Sequence, residues 1–389
     1  MNMKYKLKDI FDLQMGKTPS RNNTEYWNTE EHKWISIADL TKTGKYISET
    51  KECLSNRAID DSGIKVIPAN TVVMSFKLSI GKTAITAEDM YSNEAIMAFH
   101  DKHVVKILPE YIYYMFKYKN WDEGSNKAVM GKTLNKATLS EVEIDICSLE
   151  EQREIVKVLD KMMSVLDGRE TELSLLDDLI KARFVEMFGD PDTNPKGWNE
   201  CALSEKLNVV GGYAFKSDGF SEGSGIPVLR IGNINAGFFR PVNLVYWQED
   251  ESLDRYAMYP GDLVMSLTGT VGKDDYGNVC ILGADYDMYY LNQRNAKLEI
   301  IEGIDKFYLS QLLKFEQIKK KLTVISRGVR QANISNKDIL NLVVPVPPME
   351  LQSQFADFIN QVDKSKVVIQ AALDKSQLLF DSLMQKYFG

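Results

Sequence analysis

The sequence predicts an α+β chain: two globular units in a pseudo-two-fold repeat, separated by two long antiparallel coiled-coil helices. Three observations predict it. Segments from the first half recur in the same order in the second, each copy ends in an apolar heptad run, and the two runs stand 200 positions apart without a gap. A repeat of this size constrains the architecture before any single element is assigned.

Taken in order, "LKDIFDLQMGKTPS" from Leu7 is echoed by "LSEKLNVVGGYAFKS" from Leu203. "PANTVVMSFKLSIGK" from Pro68 is echoed by "YPGDLVMSLTGTVGK" from Tyr259, which matches Met74-Ser75 with Met265-Ser266 and Gly81-Lys82 with Gly272-Lys273. "YIYYMFKY" from Tyr111 is echoed by "YLSQLLKF" from Tyr308. At the end of each unit Gln152 aligns with Gln352, Leu173 with Leu373, and Phe188-Gly189 with Phe388-Gly389.

The end segments are helical by pattern. Leu159, Leu166, Leu173, Ile180 and Met187 recur every seven residues, with a partner series Ile155, Met162, Arg169, Leu176 and Arg183. The second copy repeats this with Ile359, Lys366, Leu373, Phe380 and Tyr387 beside Phe355, Val362, Ile369, Ser376 and Leu383. Ser148 followed by Glu151 is a capping-box start, and Pro347-Pro348 opens the second helix. These signals divide the chain into a first unit at 1–147, a helix at 148–189, a second unit at 190–347 and a helix at 348–389.

Polar seam residues in one copy face apolar ones in the other: Arg169 against Ile369, Arg183 against Leu383, Lys366 against Leu166. A homodimer would stack these defects, so pairing within one chain is preferred. The second unit lies between the end of one helix and the start of the other, so the helices run antiparallel, as a rod of roughly 60 Å at 1.5 Å per residue.

Composition restricts the function classes. A 389-residue chain with 44% hydrophobic and 26% charged residues is globular, of two or three domains. No apolar run approaches the ~20 residues of a membrane helix, and the start lacks a signal-peptide core, so no membrane and a cytoplasmic address are expected. Cys53, Cys147, Cys201 and Cys280 lie far apart and are expected as small buried apolar residues. The net charge is −8, yet residues 314–337 hold seven basic side chains against one acid, and 111–140 hold five against two. Residues 150–189 carry six basic and ten acidic side chains, so the negative charge is placed away from the basic segments.

Catalytic constellations are missing. Gly16-Lys17-Thr18, Gly81-Lys82-Thr83 and Gly131-Lys132-Thr133 each lack the upstream glycine of a phosphate-binding loop, having Phe11, Phe76 and Asn126 there. Gly81-Lys82-Thr83 reads instead as a turn between strands at 71–76 and 83–86. No Asn-Pro-Pro-Tyr-type loop of an amino-methyltransferase occurs; the double proline follows Val346. "DPDTNPKGW" from Asp190 superficially resembles a nuclease motif, but Asn194 replaces the second acid, and it reads as a Pro-rich linker. His100 and His103 have no further ligand at metal spacing and read as surface histidines beside Asp101.

Architecture and residues together resemble one family, the DNA-specificity subunits of type I restriction-modification systems. "GKTPSRNNTEYWN" followed by "WISIADL" at 16–40 resembles the family's start of a target recognition domain, and "GGYAFKSDGF" with "GIPVLRIGNI" its other common form. "RGVRQANISNKDILNLVVPVPPMELQ" at 327–352 resembles the junction of recognition domain and spacer; "GKTLNKATLSEVEIDICSLEEQ" at 131–152 is a looser version without Pro-x-Pro-Pro. The resemblance covers essentially the whole chain. It implies a non-catalytic subunit that binds double-stranded DNA, holds two methyltransferase subunits and recruits an ATP-driven restriction subunit. It also implies no cofactor in this chain, S-adenosylmethionine and ATP belonging to the partners.

Readout of DNA needs hydrogen-bonding side chains at base edges and cations at phosphates. In the first unit the candidates are Lys17, Thr18, Ser20, Arg21, Lys82, Lys132 and Thr133; in the second, Lys216, Ser217, Arg230, Lys273, Arg294, Arg327, Arg330 and Gln331. Arg330-Gln331 is the foremost pair, Arg suiting guanine and Gln adenine. Arg330→Ala is expected to weaken specific binding by about 1–3 kcal/mol; an unchanged affinity and motif on titration with target DNA would remove that role. A reader at each end of the rod implies a bipartite, asymmetric target, its half-sites ~34–36 Å apart on one face of the duplex. The competing readings are a coiled-coil scaffold without DNA specificity, marked by no duplex binding at low salt, and an enzyme of unrecognised type, marked by a nucleotide-induced melting shift.

Overall fold

The computed structural model describes residues 3–27, 29–77, 79–121, 134–234, 237–270, 277–323 and 331–389. The chain divides into two compact units, Met1–Glu170 with Ala371–Gly389, and Thr171–Gln370.

In the first unit the main sheet has the order Phe11–Met15, Ile96–Asp101, Val72–Ser75, Thr83–Thr86, Tyr46–Ile47. A smaller sheet pairs His32–Ile35 antiparallel with Glu52–Leu54 and parallel with Tyr91–Ser92. The second unit repeats this plan, with a main sheet of Leu207–Gly211, Asn295–Ile300, Leu263–Ser266 and Val279–Ile281. Its smaller sheet again sets Ile226–Leu229 antiparallel to Val245–Trp247 and parallel to Tyr289–Leu291. Parallel pairing of two short strands inside an otherwise antiparallel fold needs a specific connection, so its recurrence marks the units as copies.

Each main sheet is largely apolar on the face that meets the helix after it. Val72, Met74, Met97 and Phe99 pack on Tyr111, Ile112 and Phe116 of Pro109–Tyr118. Leu263, Met265, Ala296 and Leu298 pack on Tyr308, Leu309 and Leu312 of Lys306–Leu312. The tyrosine hydroxyls are satisfied at the same place in both units, Tyr111 donating to the Asp145 carbonyl (3.3 Å) and Tyr308 to that of Pro345 (2.7 Å).

Two 40-residue helices, Leu149–Phe188 and Met349–Phe388, complete the cores. The first starts as its capping signal requires, the Glu151 N–H donating to Ser148 Oγ at 3.3 Å. The aligned glutamines explain the repeat at that point. Gln152, wholly buried, accepts from the Leu108 N–H (2.9 Å) and donates to the carbonyls of Lys106 and Cys147 (both 3.0 Å). Gln352, equally buried, accepts from the Asp305 N–H (2.7 Å) and donates to the Pro347 carbonyl (2.7 Å). These bonds satisfy a carboxamide that is itself wholly buried, and leaving such a group bare costs about 1–3 kcal/mol.

Every seam residue of the heptad reading is at least partly buried. In the second unit Lys366 pairs with Asp177, the Arg183 guanidinium lies 5.8 Å from the Phe358 ring, and Phe184 meets Phe355 at 5.5 Å, so the two helices run antiparallel. In the first unit Arg169 donates to the Ala372 carbonyl and to Ser376 Oγ, so this polar seam position is matched by a polar partner. Near the end of the first helix burial extends beyond the heptad series to Phe184 and Phe188, which pack on Phe355 of the second helix and on Tyr308 together.

The segment after the first helix is an ordered clasp, more than the linker its prolines suggested. Gly189 takes φ +83° at the helix end, Lys196 Nζ donates to the carbonyls of Glu186 and Met187 (2.7 and 2.9 Å), and Trp198 Nε1 donates to that of Phe188 (2.8 Å). A cation on terminal carbonyls is favoured by the helix dipole. His103 is exposed beside Asp101, but His100 is half-buried on its strand and shares a hydrogen bond with Gln14 (3.1 Å); burial holds its imidazole below the usual pKa. Of the four cysteines expected to be buried, Cys147 and Cys280 are, whereas Cys53 and Cys201 are only partly buried; burial pushes the Cys280 thiol up to about 12. Among the described residues no helix is long and apolar enough to cross a membrane, and no three His, Cys, Asp or Glu side chains gather to hold a metal.

Candidate nucleic-acid interface

The first strand of each main sheet ends at a glycine that the geometry demands. A Cβ on Gly16 would lie 2.2 Å from the Asn93 carbonyl oxygen, and one on Gly212 would lie 2.1 Å from that of Asn292. No side chain fits where two backbones approach so closely. The next residue is tied in the same way in both units, the Lys17 N–H donating to the Ser92 carbonyl and the Tyr213 N–H to the Leu291 carbonyl, both at 2.8 Å. Gly16 of the first Gly-Lys-Thr triplet is therefore a packing glycine.

Gly81-Lys82-Thr83 closes the hairpin between Val72–Ser75 and Thr83–Thr86, as the sequence predicts. Gly81 has φ +87° and its N–H donates to the Ser75 carbonyl (2.9 Å), while the Lys82 N–H donates to Ser75 Oγ (3.0 Å) and Thr83 Oγ1 to the Gly81 carbonyl (3.0 Å). With these N–H groups spent inside the turn, they form no phosphate cradle. The pairing of this glycine with Gly272 is corrected by the hydrogen bonds. Gly277 takes φ +62° and donates to the Ser266 carbonyl (3.0 Å), and the Asn278 N–H donates to Ser266 Oγ (3.0 Å). Gly277-Asn278 is thus the counterpart of Gly81-Lys82; the second hairpin is five residues longer, and its ends rather than its loop set the register.

Four first-unit candidates gather on the loop after Met15. Lys17 Nζ donates to the Ser62 carbonyl at the end of helix Asn56–Ser62. Thr18 donates to Glu94, which holds that carboxyl below its usual range, with Lys77 and Arg21 adding to the effect. Ser20 is exposed and its carbonyl accepts from Trp27 Nε1 (3.0 Å). Arg21 makes a bidentate pair with Glu52 (2.6 and 3.1 Å) and stacks 3.7 Å from the Trp27 ring centroid. That pair is about half exposed, so exchanging Glu52 for a phosphate or base would cost roughly 1 kcal/mol or less. Lys82 is exposed on its turn; Lys132 and Thr133 lie outside the described residues.

In the second unit, Lys216 and Ser217 are exposed on the turn Ser217–Gly219. Arg230 and Arg294, far apart in sequence, line one cleft of about 430 Å³ with Asn243, Gln293, Phe215 and Phe220. Arg230 is fixed there by its N–H to Asn233 Oδ1 (2.9 Å) and by its guanidinium donating to the Asn243 carbonyl (2.6 Å). Lys273, Arg327 and Arg330 lie outside the described residues, as does the side chain of Gln331, whose backbone pairs with Thr270. Sequence reasoning passed over Glu94, Gln293 and Asn243. The first two had a signal: "SNEAI" and "LNQRN" place an Asn followed by Glu or Gln after matching strands.

The model of the type I restriction modification DNA specificity domain matches residues 2–174 and 195–376. The MjaIX type I restriction enzyme specificity subunit of Methanocaldococcus jannaschii is 24% identical over 411 residues, covering 98% of this chain and 91% of that protein. The EcoKI specificity subunit of Escherichia coli K12 is 24% identical over 279 residues, covering 66% and 59%. Among solved structures, the type I restriction-modification S subunit from M. genitalium aligns over 100% of this chain and 96% of its own, with TM-score 0.53 and 14% identity. A chain from a type I system studied for complex assembly and conformational transition aligns over 100% and 97%, with TM-score 0.55 and 17% identity. Those likenesses carry the fold, and the family match over both halves carries the assignment: this chain belongs to the type I restriction-modification DNA specificity family, as a subunit that supplies DNA sequence specificity.

Proposed function

We propose that the chain reads a bipartite, asymmetric DNA target, with target recognition domains at 1–147 and 190–347 and spacer helices at 148–189 and 348–389. The observation that carries this is one scaffold built twice with different side chains at matching places: Lys17 and Tyr213 share one tether, and the N–H groups of Ser36 and Arg230 each donate to the side chain three residues on. Copies that present different chemistry read different half-sites. In the first domain Lys17, Thr18, Ser20, Arg21, Lys82, Lys132 and Thr133 serve the DNA; in the second, Lys216, Ser217, Arg230, Lys273, Arg294, Arg327, Arg330 and Gln331. Arginines and lysines hold phosphates and set the register, and the amide and guanidinium groups meet base edges.

The partners in this reading are double-stranded DNA, two methyltransferase subunits seated on the helices and an ATP-dependent restriction subunit, working in the cytoplasm. S-adenosylmethionine and ATP belong to those partners. The chain's own contribution is placement: by binding both half-sites it would bring each methyltransferase to a base in its half. The test is the methylation pattern of the host genome with and without the gene. The expected result is loss of one two-part motif, methylated on both halves; loss of a continuous motif, or an unchanged pattern with the whole complex expressed, would contradict it.

A further inference from the structure

The turn after Tyr91–Ser92 and its counterpart after Tyr289–Leu291 are built alike to the level of single bonds. In the first, Asn93 Oδ1 accepts from the Ala95 N–H (3.0 Å) and its carbonyl from the Ile96 N–H (3.2 Å). In the second, Asn292 Oδ1 accepts from the Arg294 N–H (3.4 Å) and its carbonyl from the Asn295 N–H (2.9 Å). Gly16 and Gly212 press on the turn carbonyls from behind, and the Lys17 and Tyr213 N–H groups tie down the strand ends. The residue carried at the tip nevertheless differs, Glu94 in one unit and Gln293 in the other, and both are exposed.

We propose that these turns are base-reading tips, with Glu94 accepting from the exocyclic amine of a cytosine and Gln293 bridging the N6 and N7 atoms of an adenine. The assignment rests on the DNA-specificity reading and names two specificity determinants within it. A fixed backbone suits this task, because base readout fails when the supporting shell is loose. A carboxylate only accepts, and cytosine offers a lone donor in the major groove; a carboxamide both donates and accepts, matching the paired groups of adenine. The cations beside each tip fit the flanking phosphates: Arg21 and Lys77 act on Glu94, and Arg230 and Arg294 share the cleft with Gln293. Thr18 donates to one oxygen of the Glu94 carboxylate, and a base-edge donor is the partner that suits the other, because the DNA backbone itself repels a carboxylate.

The test is selection of bound duplexes from a randomised library by the full chain assembled with its methyltransferase subunits, as wild type, Glu94→Gln and Gln293→Glu. Each variant is expected to change one base pair in one half of the motif and leave the other half intact. Glu94→Gln should turn a preference for C·G into one for A·T by about tenfold or more, and Gln293→Glu the reverse. If both variants select the wild-type motif, the tips are not readers. A Glu94→Gln chain that melts lower with its motif unchanged would make the Thr18 contact purely structural and overturn the assignment too. A wild-type complex that selects no motif would overturn the DNA-specificity reading itself.

Discussion

Phe184→Ala is expected to destabilise the second unit by about 3–5 kcal/mol, the loss seen when a fully buried aromatic is cut back to alanine. The side chain has no exposure, and its ring centroid lies 5.3 Å from Tyr308 in a stacked pair, 5.0 Å from both Phe188 and Phe315 and 5.5 Å from Phe355. Four rings from three separate segments close on one side chain. None can move into the gap without leaving another contact, so the cavity should persist. For a unit of this size the melting midpoint should fall by roughly 10 °C. Urea unfolding followed by circular dichroism checks it; a loss under about 1 kcal/mol would mean that the cluster does not anchor the helix end.

Gly212→Ala is expected to cost about 3 kcal/mol and to abolish sequence-specific binding by the second domain. The added Cβ meets backbone, 2.1 Å from the Asn292 oxygen and 2.3 Å from its carbonyl carbon, and backbone held in a sheet yields less readily than a side-chain tip. The strand or the turn must shift, and the turn carries Gln293 and Arg294. Gly44→Ala, with open space around the new methyl, is the control and should leave stability and binding within about 0.5 kcal/mol. Melting curves and duplex titrations on both variants check this. A Gly212→Ala protein that binds its target with native affinity would show that the turn takes no part in recognition.

Much of the architecture was legible because repetition and helical periodicity are properties of the chain itself. The heptad series named the buried seam, and Ser148 and Pro347-Pro348 named the helix starts. Gln152 and Gln352 stood at a constant offset because each closes the same buried hydrogen bonds. The Gly-Lys-Thr triplets could be separated from a phosphate loop by one missing glycine, and the hydrogen bonds of Ser75 bear that out for Gly81.

The site was less legible, and the reason lies in what a sequence can encode locally. Arg21 reads as a solvated cation on a polar loop, but Trp27 of the same segment stacks on it and Glu52 pairs with it once the strand Glu52–Leu54 is folded alongside. Arg230 and Arg294 meet in one cleft because parallel pairing of Ile226–Leu229 with Tyr289–Leu291 brings the residues after both strands side by side. Gly272-Lys273 was matched to Gly81-Lys82 by letters, whereas the strand ends choose Gly277-Asn278. By itself the sequence determined the duplication, the two helices and the absence of familiar catalytic motifs, because local spacing and composition carry them. Only the tertiary structure decided which loops share a surface and which charges are already paired, because those follow from strand pairing between residues distant along the chain.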